Sequence, residues 1–235
     1  MQNPAMAHAQ SRTGWCVAVL GALTLANARP ASAQTSRYHH GLYVRVAGGL
    51  GFFSDAVDSD PLPPLGSTAE GTLKGVAINA ELAVGGSLAP GLVLGGALFV
   101  NHMPSLKTTD GQIHTGSLTT LTNEIDFDPT TLTVIGPFGD YYFDPSGGLH
   151  VQASLGYGIL SLGQGRGAPI PIHDQTGSGF AAALGVGYEW WVSSSWGVGL
   201  LGHLMFGVGS GKDTGENTWR HRVLIPGVLV SATMN

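Results

Sequence analysis

Cysteine is almost absent from this chain, which carries one, Cys16, in 235 residues. A disulfide framework is thereby excluded, and the fold must be held by packing or by lipid. Charge is scarce too: Asp, Glu, Lys and Arg make up 11% of the chain, with a formal net charge of −5. That balance forms no extended basic face and excludes the electrostatic footprint of a nucleic-acid binder. Long apolar runs are also missing, since beyond residue 33 no run reaches the roughly 18 residues a spanning helix needs. What is abundant is glycine, 37 residues, within a chain that is 43% hydrophobic. Such a composition is not that of a disordered chain. A mean hydropathy of +0.18 acquires meaning only when apolar residues are resolved by position.

Residues 1–33 read as an export signal. Arg12 supplies the positive flank, an apolar run extends from Trp15 to Ala26, and Ala31-Ser32-Ala33 fits a small-residue cleavage site. The apolar run is about 12 residues long, short of a membrane-spanning helix. Cys16 lies inside it, so the expected mature chain has no thiol. Residues 34–40 follow as a periplasmic lead-in. Within it His39 and His40 point to opposite sides of an extended chain and make a poor chelate.

From residue 41 to 235 the apolar side chains recur at every second position in eight stretches, the signature of strands with one apolar face. The first, Leu42 to Phe53, sets Leu42, Val44, Val46, Leu50 and Phe52 against Tyr43, Arg45, Ala47 and Gly49. In the second, Gly75 to Leu88, Val76, Ile78, Leu82 and Val84 oppose Asn79 and Glu81. The fifth, Leu149 to Ile159, places Leu149, Val151, Leu155 and Tyr157 opposite His150, Gln152 and Ser154. The sixth, Phe180 to Val192, and the seventh, Trp196 to Phe206, carry Tyr188, Trp190 and Trp196 on the bulky face, with Glu189 and His203 on the other. The third (Leu92 to Val100), fourth (Thr131 to Phe143) and eighth (Arg220 to Ala232) alternate less cleanly.

Proline cannot donate to a ladder, so an irregularity is expected near Pro137 and near Pro226. In the fourth stretch an outward even-numbered face would set Asp140 in lipid. The expectation is therefore an extra residue near Pro137 or Gly139 that flips the register, turning Asp140 inward and Tyr141 and Phe143 outward.

Short and long connections alternate. The short ones are Ala89-Pro90-Gly91, Asp144 to Gly148 and Ser193 to Ser195; the long ones fall at about 54–73, 104–129, 163–176 and 209–218. This pattern gives an all-β fold, a single up-and-down antiparallel transmembrane barrel of about eight strands with both termini periplasmic. A soluble barrel would put its charges outside, whereas here the polar minority shares a face with glycine and alanine.

Together with Ile135-Gly-Pro-Phe-Gly-Asp-Tyr-Tyr-Phe-Asp-Pro-Ser-Gly-Gly148, these features resemble the small bacterial outer-membrane β-barrels of the OmpA/OmpX type, over most of residues 40–235. The resemblance implies a Gram-negative outer membrane, a surround of outer-membrane lipid and lipopolysaccharide, and insertion by the outer-membrane assembly machinery. It carries over no functional residue. Such barrels commonly end in an aromatic residue, whereas this sequence ends Ser231-Ala-Thr-Met-Asn235.

Eight strands leave an interior that side chains can fill. Arg45, Asp140, His150 and Glu189 are expected in a lower lumenal layer, with Glu81 and His203 nearer mid-height, and with Asn79 and Gln152 they are expected to form a polar network that plugs the barrel. A gated ion path or small-ligand carrier is the alternative. Tyr157, Tyr188, Trp190 and Trp196 are expected in aromatic girdles at the membrane interfaces.

A lipid A modifying enzyme would need His, Ser and an acid close together. His102, His114, His173 and His221, with Ser105, Ser117 and Ser178, fall near expected extracellular ends, but no motif joins them, so no catalytic residue is assigned. No cofactor or metal site is expected, and Asp126 and Asp128 lack the Gly and Glu of an EF-hand and read as solvated acids. The runs Gly163 to Gly167 and Gly207 to Gly211 open no helix after a strand, which removes a nucleotide-binding reading and leaves them as loop rims.

Overall fold

The computed structural model describes residues 41–108, 110–121, 124–167 and 173–235. The expected signal segment and lead-in lie outside these residues. Among them, eight long antiparallel strands form a ring: β1 (Leu42–Ser59), β2 (Thr68–Ala89), β3 (Leu92–Met103), β4 (Thr130–Tyr142), β5 (Leu149–Leu162), β6 (Gln175–Trp191), β7 (Trp196–Asp213) and β8 (Thr218–Met234). Each pairs with its neighbours in sequence, and β1 pairs with both β2 and β8, so the sheet closes on itself.

Register fixes the shape of the ring. Following paired residues from Gly49 through Asn79, Asn101, Leu132, Leu160, Gly177, Gly211 and Trp219 returns to β1 at Ser59. The stagger on closure is ten residues, from 49 to 59, which corresponds to the strand tilt of roughly 35–45° found in closed barrels.

Side chains alternate cleanly between the two faces. Leu50, Phe52, Leu155, Phe180, Val198 and Val230 are exposed on the outside, whereas Phe53, Phe99, Met103, Met205, Ile225 and Leu229 are buried within. An outer belt of apolar residues and a filled interior follow from one period-two pattern read on eight strands.

Pairing is interrupted beside both prolines, as expected, but the extra residue expected near Pro137 or Gly139 is absent. The β3–β4 ladder runs without a shift from Leu92–Tyr141 to Met103–Thr130, and β4–β5 pairing resumes beyond Pro137 in the same register. Asp140 does face inward and Tyr141 and Phe143 outward, but no extra residue is inserted. The even face of β4 is inward throughout, with Leu132, Val134 and Phe138 buried alongside Asp140. Pro137 sits on the outer face, where its missing N–H removes a ladder bond without changing the count. The same holds at Pro226, where β1–β8 pairing skips two positions and resumes in register at Ser54–Leu224. A register shift does occur in the β2–β3 hairpin, between Ser87 and Ala89.

The strands outlast the apolar alternation at the long-loop end. β1 continues to Ser59, β2 begins at Thr68, and β7 runs to Asp213, so Gly207 to Gly211 lies within a strand and is not a loop rim. Within 104–129, Leu106–Thr108 pairs with β2 and with Ile125–Phe127, while Gln112–Thr115 joins β2 to Leu118–Leu121. These ribbons extend the barrel wall, with Leu106, Ile125 and Phe127 buried.

Candidate functional site

The interior near the short-turn end is organised by one arginine. Arg45 of β1 has no exposed surface. Its Nη1 donates to Asp140 Oδ2 on β4 at 2.6 Å, and its Nη2 to Glu81 Oε1 on β2 at 2.7 Å and to Gln152 Oε1 on β5 at 2.5 Å. Gln152 Nε2 donates in turn to the same Glu81 oxygen at 3.1 Å. Charge-assisted bonds of this kind satisfy buried ions that would otherwise be costly to desolvate.

Glu189 joins through tyrosines. Tyr43 OH donates to Asp140 Oδ2 at 3.0 Å and lies 3.4 Å from Tyr142 OH, and Tyr142 OH donates to Glu189 Oε2 at 3.1 Å. Thr233 Oγ1 donates to the other Glu189 oxygen. His150 lies in the same layer, with Nδ1 3.0 Å from the Gly148 carbonyl and its ring 4.8 Å from that of Tyr142.

Asn79 and His203 are buried apart from this network. His203 stacks on Phe99 with ring centroids 5.7 Å apart. A Cβ at Gly51 or at Gly227 would stand 2.7 Å from Asn79 Nδ2, so glycine at these two positions is what lets Asn79 reach across β1 towards β8. Among the described residues, both side-chain polar atoms of Asn79 and both ring nitrogens of His203 lack hydrogen-bond partners.

Tyr43, Tyr142 and Thr233 were missed as members of the network. Tyr43 shares the odd face of Arg45 and was legible; Tyr142 was hidden by the assumed parity of the fourth stretch. A second buried pair was missed at the other end, where His221 Nδ1 lies 2.7 Å from Asp55 Oδ2 and the amide of Arg222 donates to Asp55 Oδ1 at 3.0 Å. Asp55 points into the barrel. Asp126 and Asp128 keep solvent-accessible side chains and form surface ion pairs with Lys107 and Arg166. No hydrogen bond joins His102, His114, His173 or His221 to Ser105, Ser117 or Ser178 among the described residues; His114 meets Thr119 and Glu70, and His102 meets Thr131.

Outside, Tyr188, Trp190 and Trp196 are exposed near the short-turn end, beside Tyr141 and Phe143. Tyr188 packs on Trp190 and Tyr141 on Phe143, with centroids 5.0 and 5.5 Å apart. Tyr157 lies nearer the opposite end, paired with Phe180 on β6, and Phe52 and Phe206 are exposed on other strands.

An exposed apolar belt wrapped around an interior that holds the polar groups is the inverse of a water-soluble barrel. It defines an integral-membrane β-barrel of the small outer-membrane class. The chain is similar in structure to the outer-membrane protease OmpT of Escherichia coli, at 11% identity over 82% of this chain and 97% of that one, with a TM-score of 0.44. It is similar to OprG of Pseudomonas aeruginosa at 11% identity, 83% and 98% coverage and a TM-score of 0.42. Ail of Yersinia pestis aligns at 10% identity over 82% of this chain and 99% of that one, with a TM-score of 0.37. No protein-family model and no curated protein matches the sequence.

Proposed function

We propose that the chain is a structural barrel of the Gram-negative outer membrane whose lumen is plugged and whose long loops present its interaction surface to the outside. Both termini face the periplasm after removal of the signal segment, because short turns are periplasmic and long loops extracellular in such barrels. The observation that carries this reading is the filling of the interior over its height. The Arg45 network occupies the short-turn end, and Phe53, Phe99, Met103, Met205 and Ile225, all buried, occupy the barrel above it. Ion conduction would need a continuous wet path, and an apolar layer above an ion-paired layer opposes one.

The expected result in planar bilayers is the absence of steady ohmic conductance from the folded chain. A reproducible open level would overturn the plugged reading in favour of a narrow pore. A catalytic role finds no support in hydrogen bonding: among the described residues His221 bonds Asp55 and no serine, and Ser178 and Ser210 occupy the outward face of their strands. Lipid A recovered from cells with and without the protein is expected to be identical by mass spectrometry.

A further inference from the structure

The cations of the barrel are unevenly placed. Of the seven lysines and arginines among the described residues, Arg45 is interior and the other six lie towards the long-loop end. Four of these, Lys74 on β2, Lys212 on β7 and Arg220 and Arg222 on β8, face outward on a wall of four adjacent strands, β7-β8-β1-β2. The opposite wall carries Thr131, Ser161, Thr176 and Ser178 near the same level.

Register orders these groups along the barrel. On β1, β2 and β8 the last outward apolar residues are Phe52, Val76 and Leu224, and the next outward positions are Ser54, Lys74 and Arg222. The carboxylates lie further out. Asp58 accepts from Arg222 Nη2 at 3.0 Å and from Arg220 Nη1 at 2.9 Å, and Asp60 pairs with Arg220. Asp110, the acid near Lys74, is engaged by the Thr72 amide and the Thr108 hydroxyl. On β8, β1 and β2 an anion resting on the edge of the apolar belt therefore meets Lys74 and Arg222 before it meets a carboxylate, while on the far side of Lys74 the adjacent Lys107 engages Glu124 and Asp126.

Between these two cations β1 offers only small side chains. Ser54 pairs across to Lys74 on one side and Leu224 on the other, and Ala56 pairs to Arg222. Two strand spacings of about 4.8 Å place the flanking strands roughly 10 Å apart, with a shallow groove floored by Ser54 and Ala56. Lys74 makes no ion pair among the described residues. The Arg222 side chain is 67% exposed and commits one nitrogen, Nη2, to Asp58.

We propose that this groove binds the phosphorylated headgroup of an outer-leaflet lipid, with Lys74, Arg222 and the Ser54 hydroxyl on the phosphate and the acyl chains lying over Phe52, Val76 and Leu224. Two flexible cations flanking a hydroxyl suit a phosphate's charge and acceptor oxygens. The exposed apolar row beneath them selects a phosphate attached to hydrocarbon over a free one. The inference rests on the long-loop end facing the cell exterior.

The test uses the full folded barrel in detergent, with retained lipid read by native mass spectrometry. Bis-phosphorylated lipid A, chemically dephosphorylated lipid A and inorganic phosphate are the probes. Wild type is expected to hold bis-phosphorylated over dephosphorylated lipid A by tenfold or more, and inorganic phosphate at equal concentration is expected not to displace it. Lys74→Gln combined with Arg222→Gln is expected to abolish the preference while leaving heat-modifiable gel mobility unchanged. Equal retention of the two lipids by wild type, or an undiminished preference in the double variant, overturns the proposal. Displacement by inorganic phosphate would show a free-anion site and overturn the lipid assignment. Orientation is read separately by labelling Lys74→Cys on intact cells with a membrane-impermeant thiol reagent; failure to label sinks the orientation and not the groove's chemistry.

Discussion

Arg45 contacts three strands besides its own and is the side chain on which the lower interior depends. Its replacement by methionine would leave Glu81 and Asp140 buried without their cation, a change that costs about 3–5 kcal/mol when a buried pair is broken from one side. Denaturant unfolding of Arg45→Met in lipid vesicles is expected to show that loss, and Arg45→Met with Glu81→Met and Asp140→Met to recover much of it. A triple variant no more stable than the single one would show that the charges do not act as a unit. Arg45, Glu81 and Gln152 were readable because each interrupts a clean alternation with a polar group. Asp140 was read inward only through an invented bulge, since Pro137 and Gly136 blur the alternation that sets parity. The Asp55–His221 pair was not readable, because its partners are 166 positions apart and join only once the ring closes.

At the scale of the strand, the apolar pattern marks where lipid is, and hydrogen bonding marks where the strand is. Beyond the belt both faces of β1, β2 and β7 tolerate polar residues, so the sequence signal fades near Phe53, Gly75 and Phe206 while pairing continues to Ser59, Thr68 and Asp213. The β7–β8 hairpin shows what holds such an extension. Burial disfavours the charged form of Asp213, but hydrogen bonds from Asn217, Trp219 and Gly215 outweigh it and hold the carboxyl below its usual range. A lowered folded value stabilises the hairpin above the unfolded value of about 3.9 and is lost as pH falls through the lower folded one. Protease resistance of this hairpin is accordingly expected to stay level from neutrality to about pH 4, checked with an acid-active protease. Asp213→Ala is expected to raise cleavage there about tenfold at neutral pH; unchanged cleavage would show that the ladder alone suffices.

For the whole molecule, the alternation of short and long connections conveyed strand number and direction, and the eight strands follow that plan. Heat-modifiable mobility, with the unboiled chain migrating apart from the boiled one, is the expected mark of the closed ring, and a mobility indifferent to boiling would contradict it. What the pattern could not convey is the ten-residue stagger, since register depends on how eight faces match around a circle rather than on any one of them.

The pairing of β1 with β8 governs how the ring can be made. Val44 lies against Met234, so the bond that completes the wall joins residues from nearly opposite ends of the chain. Contacts that distant in sequence carry a large loop-closure entropy and make folding slow. Until they form, both outer strands offer unpaired backbone edges to any other chain nearby. A polypeptide built this way has no safe half-folded form, because its two outermost edges stay open until the first strand meets the last.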